Sequence, residues 1–479
     1  MTGPPCKPEA HTTMKTIERI FYLAVGLCSI GLGGVYFLRR AGDLSQLTLF
    51  GGTISIILIA FGAAILLPAV RGQTAARGIF ASYVIVILMF PIAEIALRIA
   101  DIPKSFSYSE DVKERLKAQI DLRLEGVNAE PMVPFSLMLR ESRKDKVPLF
   151  LTGYPNAATV YCREDEELTV YQADENGFRN PPELYTRQQT FDAVLMGDSF
   201  THGACVDDGY TIADQLRRIT GKSVYNLGYG GTGVAHNLGA YIEYANAKNP
   251  ANAVLLLLEG SSISRLLNDE MPNPHARDYI EDQTAQGLTQ QRAHKRNVLD
   301  SIVRLETLKL ALKTIEGADM RDGTLQPGRN TWLRSVVEPI YRSRIFRLFF
   351  NIENTLLRNP RAGGKIPDCR RLNEAAPALK KTFDYLQSRS SAQGGSLYVG
   401  LIPAARYWTP DFPDCEYEMM KTLTTEAGGR FIDLVADISK LQNPNRLYAQ
   451  RSRWSSNHFN RDGYRFVAER IAEALAAPK

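Results

Sequence analysis

Three long stretches without a charged side chain, 20–38, 44–70 and 78–93, crowd the N-terminal fifth of the chain and limit what it can fold into. A bilayer core takes roughly 20 apolar residues of helix, so each stretch reads as a membrane span. The expected helices cover about 20–38, 46–70 and 78–98, within an anchor of residues 1–103. No small-residue cleavage site follows Leu38, and Arg39-Arg40 mark an interface boundary, so the first span reads as retained. The charge distribution supports this division. Of 57 Lys+Arg and 52 Asp+Glu, residues 1–103 hold only eight and five. The remaining 376 residues carry a net charge of +2, too little for a nucleic-acid footprint, and no nucleic-acid partner is expected. A chain that is 44% hydrophobic is not generally disordered.

Three spans place the N-terminal tail and the C-terminal part on opposite sides of the membrane. Lys7, Lys15, Arg19, Arg71 and Arg77 on the inner side outnumber Arg39, Arg40, Arg98 and Lys104 by one, which leans toward an exterior C-terminal part. Cysteine use leans the same way. Cys162, Cys205, Cys369 and Cys415 form an even set suited to an oxidising compartment, with three pairings open. The expected location is the cytoplasmic (inner) membrane, multi-pass, with the C-terminal domain periplasmic or otherwise extracytoplasmic.

Residues 104–173 read as a stalk and pre-domain segment, and residues 174–479 as an α/β domain. Apolar runs at Ala193–Met196, Val254–Leu258 and Leu397–Ile402, with the shorter pieces Ser223–Leu227 and Phe431–Leu434, alternate with helical patterns such as Ile212 to Ile219. Runs of this kind indicate parallel strands covered on both faces. About 135 residues, 261–395, separate the third and fourth runs, so a helical insertion is expected there. Within it Val298, Ile302, Leu305, Leu312 and Ile315 keep helical spacing. Ile340–Leu357 is amphipathic with Arg342, Arg344 and Arg347 largely on one side; it reads as a lid helix, and its basic face also suits an anionic membrane surface.

Open α/β sheets place their sites at the C-terminal ends of the strands. There the chain reads Gly197-Asp198-Ser199-Phe200-Thr201-His202-Gly203, which puts Ser199 on a strand-to-helix turn beside helix-dipole charge. Asn226-Leu227-Gly228-Tyr229-Gly230-Gly231-Thr232-Gly233 follows the next strand, and His458-Phe459-Asn460 precedes the last helix. Taken in order, these three blocks resemble the SGNH/GDSL hydrolase family over roughly residues 174–260 and 396–479. The layout is similar to membrane-anchored members associated with envelope polysaccharides.

The resemblance implies a three-layer flavodoxin-like sandwich, Ser199 as nucleophile, His458 as its base, and an oxyanion hole from the Ser199 and Gly231 amides. It also implies an Asn at the third block, where this chain has Ser261, and an Asp shortly before the histidine, where it has Ser455 and Ser456. Losing one oxyanion donor typically costs 10²–10³ in turnover, and losing the orienting carboxylate about 10⁴. Asp198 reads as a loop organiser, Asp207 and Asp208 as N-cap residues, and Asp462 as a turn former. Neither cofactor nor metal is expected, since the six histidines show no ligand spacing. Two functions follow. One is a membrane-anchored serine esterase or O-acyltransferase acting on an acylated glycan or other small ester, with a membrane acyl-donor protein as partner for transfer. The other is an inactive SGNH-like module that binds polysaccharide or a membrane partner.

Overall fold

The computed structural model describes residues 108–144, 147–162, 168–315, 319–321, 324–326, 367–403, 412–452 and 455–477, together with helical pieces within 16–29, 60–71 and 75–81. They fall in two compact units. In the first, Tyr22, Ile65, Ala69 and Ala76 form a small apolar cluster ringed by Phe61 and Phe80, and Arg77 pairs with Glu18. Among the described residues no helix is long and apolar enough to cross a membrane. Most of the three expected spans, and all of the 340–357 helix, lie outside the described residues.

The second unit spans Phe106–Arg329 and Pro360–Lys479. Its centre is a parallel sheet of β1 (Ala193–Gly197), β2 (Val224–Asn226), β3 (Asn252–Leu258), β4 (Leu397–Ile402) and β5 (Arg430–Ile432), in the order β2-β1-β3-β4-β5. This is the doubly wound, flavodoxin-like order implied by the blocks. Registers such as Leu195 opposite both Asn226 and Val254 align the C-terminal ends of β1, β2 and β3.

Strand period 2 divides the apolar runs between two cores. Val194, Met196, Leu255 and Leu257 enter one, while Ala193, Leu195, Val254 and Leu256 enter the other. Ile212 and Leu216 of α2 (Ile212–Thr220) cover the second face with Tyr464, Val467 and Ile471 of α7 (Arg461–Ala476). Leu238 of α3 (Val234–Ala240), Leu379, Phe383 and Leu386 of α5 (Leu372–Ser391), and Met420 of α6 (Cys415–Glu426) cover the first. The result is three layers, helix on sheet on helix.

Two parts of the domain differ from the expected organisation. Residues 129–173 carry a three-stranded sheet of 129–131, 158–160 and 170–172, and their Phe135, Phe150 and Tyr154 belong to the same core as Tyr229 and Leu238. This segment is built into the domain instead of standing off as a stalk. At the other end, α5 lies inside the stretch 261–395, yet it is the crossover helix between β3 and β4 because its apolar face packs on the sheet. The inserted material is therefore shorter than expected, and it includes a long helix at Arg292–Ile315, where the helical spacing placed one.

Candidate active site

The Ser199 turn is built by steric exclusion and by one buried carboxylate. Ser199 opens the four-residue helix α1 (Ser199–His202) directly after β1. A Cβ at Gly197 would lie 2.7 Å from the Leu256 carbonyl oxygen, so only glycine lets β1 turn this close to β3. The Asp198 carboxylate accepts a hydrogen bond from the Phe200 amide at 3.1 Å and caps the helix. Asp198 is buried, and its other oxygen pairs with Arg265 Nη1 at 2.9 Å. The same guanidinium nitrogen also donates to the Thr232 carbonyl at 3.2 Å. Asp198 is thus the loop organiser expected, with a partner that no motif announced.

His458 reaches this turn from 259 residues away: its Nε2 lies 2.7 Å from Ser199 Oγ. It sits on β7 (Ser455–Phe459), which pairs antiparallel with β6 (Tyr448–Ser452). Phe459 packs against Phe200, Tyr448 and Tyr464, and the His458 ring lies 4.9 Å from the Phe200 ring. Asn460 caps α7 by accepting from the Gly463 amide at 3.0 Å, so the last helix begins at Arg461, directly after the last block. Tyr464 donates to the Ala204 carbonyl at 2.9 Å, and Arg461 pairs with Asp207. These contacts tie the histidine's helix to the loop after the serine's helix. Ser199 and His458 are both half-buried, which leaves the pair open to a substrate.

Asp207 and Asp208 are not N-caps. Thr211 caps α2 by accepting from the Asp214 amide at 3.1 Å, while Asp208 pairs with the buried Arg179. The helix begins beyond both aspartates, after Gly209 in a left-handed turn (φ +89°) and Tyr210. Asp462 lies in the first turn of α7, where its charge suits the helix dipole.

The glycine-rich loop after β2 folds back on the serine turn. The Tyr229 amide donates to the Gly197 carbonyl at 3.2 Å, and Thr232 Oγ1 reaches the same oxygen at 3.3 Å. Gly231 has φ +85°, a left-handed conformation that favours glycine, and its Cβ direction opens on free space. Among the described residues neither the Ser199 nor the Gly231 amide is taken by a backbone acceptor. The loop is fastened at both ends. Glu270 is fully buried, and its carboxylate accepts from the amides of Gly233 at 2.7 Å, Ala235 at 2.9 Å and His236 at 3.3 Å. Burial pushes its pKa up to about 7, although these three amides hold it down. At the other end the Gly230 amide donates to His202 Nδ1 at 3.2 Å.

Ser261 lies in the turn after β3, buried, with its amide on the Leu258 carbonyl at 3.0 Å. It precedes α4 (Ser262–Arg265), the helix that carries Arg265 to Asp198. Sequence reasoning named Ser199, Gly231, Ser261 and His458 but assigned nothing to Arg265, Glu270 or His202. His202 stood inside a block already recognised; the other two lie in the insertion, with no motif around them.

No family model and no curated protein matches the chain. Among solved structures, the lipase/acylhydrolase from Enterococcus faecalis is similar at 10% identity over 59% of this chain and 94% of that one, with a TM-score of 0.29. A putative lipolytic protein of the G-D-S-L family from Desulfitobacterium hafniense is similar at 11% identity over 59% and 99%, with a TM-score of 0.27. A carbohydrate esterase family 2 enzyme with a carbohydrate-binding domain, from Corynascus thermopiles (Myceliophthora fergusii), gives 11%, 59% and 65%, with a TM-score of 0.27. The strand order and the two buried sheet faces make the domain a flavodoxin-like three-layer sandwich, with the first and last blocks meeting at Ser199 and His458.

Proposed function

We propose that this protein is a membrane-anchored serine ester hydrolase or O-acyltransferase whose domain works on an acylated glycan outside the cytoplasmic membrane. The observation that carries the chemistry is the 2.7 Å contact between Ser199 Oγ and His458 Nε2. A serine hydroxyl is a weak nucleophile until a base within hydrogen-bond reach takes its proton. In the productive tautomer His458 carries its proton on Nδ1, so Nε2 accepts from Ser199. Ser199 Oγ bonds to the acyl carbon as its proton passes to Nε2, and the carbonyl π electrons move onto oxygen. The Ser199 and Gly231 amides face that oxyanion. Collapse expels the alcohol, which leaves with the proton from His458, and the acyl group stays on Ser199. Water then gives hydrolysis, or a sugar hydroxyl gives transfer, by the same steps in reverse.

Ser261 holds the place of the third donor in this reading, and its hydroxyl acts through a water where it is too short to reach directly. The anchor and the extracytoplasmic address rest on the three uncharged runs, and the two disulfides, Cys162–Cys205 and Cys369–Cys415, are at home in an oxidising compartment. The glycan substrate and a membrane acyl donor rest on the resemblance in layout alone.

The purified chain should react with a fluorophosphonate probe at one residue, Ser199. Labelling should vanish in Ser199→Ala and fall steeply in His458→Ala. A well-folded wild type that stays unlabelled at every pH between 6 and 9 would establish the binding-module reading instead.

A further inference from the structure

The helix that begins with the nucleophile ends, three residues later, with a histidine that takes no part in the proposed chemistry. His202 is completely buried. Its ring lies between Tyr161, stacked at 4.5 Å, and Tyr229, stacked at 5.2 Å, and the column continues from Tyr229 to His236. A phenylalanine would fill that slot equally well, so packing does not account for a histidine.

The two ring nitrogens do. Gly230 offers only an N–H, so Nδ1, 3.2 Å away, must be the bare acceptor. The single ring proton is then on Nε2, which donates to the Tyr171 hydroxyl at 2.8 Å. Burial, aided by the Arg179 charge, pushes the His202 pKa well below the ordinary 6.5, which keeps this one neutral tautomer in place. A second proton would set an Nδ1–H against the Gly230 N–H. The loop also runs hard over the same residue: a Cβ at Gly228 would lie 2.5 Å from the His202 amide nitrogen.

We infer that His202 is a positioning residue for the oxyanion loop, holding Gly230 through Nδ1 so that the adjacent Gly231 amide points to the developing charge. This rests on the reading of Ser199 as nucleophile. One rigid turn of helix then sets both the attacking oxygen and the loop that supplies the second donor, so their separation does not depend on distant elements. Glu270 fixes the far end of the loop through three amides. Preorganisation of this kind matters because a misplacement of about 1 Å can cost on the order of 100-fold in rate.

The test compares the full-length wild type with His202→Phe, His202→Asn and Tyr171→Phe on p-nitrophenyl acetate, with deuterium exchange read on the peptide carrying Gly230 and Gly231. Phenylalanine keeps the stacking column and removes the acceptor, whereas asparagine restores an acceptor near the Nδ1 position. His202→Phe should lower kcat by about 10- to 100-fold with KM within about twofold, and should speed exchange of the loop amides. His202→Asn should recover most of the lost kcat. A His202→Phe protein with wild-type kcat, or a His202→Asn protein as slow as His202→Phe, overturns the inference. Should His202→Phe fail to fold, Tyr171→Phe decides, since it frees the Nε2 proton while keeping the ring: reduced kcat at unchanged KM supports the role, and unchanged kcat overturns it. A wild type with no esterase activity overturns the function proposed above and this inference with it, whereas an active wild type matched by every variant overturns this inference alone.

Discussion

The Cys162–Cys205 bridge links the segment before the domain's first central strand to the loop just after the Ser199 helix, with Cα atoms 5.2 Å apart and 43 residues between them in sequence. Cys162 directly follows Tyr161, whose ring stacks on His202, and Cys205 is three residues past His202, so the covalent bond braces the same corner as the stacking column. Closing a loop of this length removes chain entropy from the unfolded state worth about 4 kcal/mol at 25 °C. The double substitution Cys162→Ser/Cys205→Ser removes the bond without leaving a lone thiol. With a urea slope of about 3 kcal/mol per molar, the midpoint should fall by roughly 1.3 M. Pulse proteolysis in urea, read on peptides from 106–329, measures this in the full chain. Alkylation of freshly lysed, unreduced, denatured protein tests the bond itself: Cys162, Cys205, Cys369 and Cys415 should stay unmodified. Modification of Cys162 and Cys205 refutes both the pairing and the extracytoplasmic address, and a midpoint that the double variant leaves unchanged refutes the energetic argument.

Ser261→Asn should place an amide donor where the hydroxyl is too short and raise single-turnover ester cleavage about tenfold, or 1.4 kcal/mol of barrier; equal rates for wild type, Ser261→Asn and Ser261→Ala would remove Ser261 from the site. Glu270→Gln should alter how stability depends on pH. Burial raises the folded Glu270 pKa to about 7 from the ordinary 4.5, so between these values the native state holds a proton that the unfolded chain releases. The wild type should therefore lose up to about 3 kcal/mol relative to Glu270→Gln as pH climbs from 4.5 to 7, with no further loss above. Urea midpoints of both proteins at pH 5 and pH 8 measure it, and a difference that does not move with pH contradicts the assignment.

The strands were legible because their signal is local. Leu397–Ile402 is a continuous apolar run, and its observed bounds are the ones expected; Ala193–Met196 gains only Gly197, and Val254–Leu258 only two residues at its start. Ser199 and His458 each sit where a strand or hairpin hands over to a helix, and their pairing, seen at 2.7 Å, was implied by the resemblance of the blocks. The groups that support them left no such trace. Arg265 and Glu270 act on backbone amides, a carbonyl and one carboxylate more than 30 residues away, and a contact of that kind has no period and no spacing to detect. The N-terminal boundary of the domain was misjudged for a related reason. Residues 104–148 are rich in charge, which reads as a solvated stalk, whereas the apolar residues that join the core, such as Phe135 and Met138, are few and lie among polar neighbours. The cap of α2 was misplaced because two aspartates stood close before the helix, and only the fold shows that Arg461 and Arg179 had claimed them.

The departures of this chain from the family pattern fall on the two parts of the site that supply charge or direction from side chains, the third oxyanion donor and the carboxylate beside the histidine. What it keeps is made of backbone: the Ser199 amide at a helix start and the Gly231 amide in a left-handed turn. Backbone donors are effective only when held still, because each must face the oxyanion before charge develops there and not after. Around these two the chain spends buried polar side chains on restraint. Asp198 is buried with Arg265 as its counter-charge, Glu270 is buried with three amides, and His202 is buried with one amide and one hydroxyl. Each costs desolvation, and each would destabilise the fold if its partners were removed, so none is explained by stability alone. All three act on the same two short segments, 197–202 and 228–236. That concentration is what a two-donor hole requires under the proposed reading: three buried groups hold still the two segments that carry its amides.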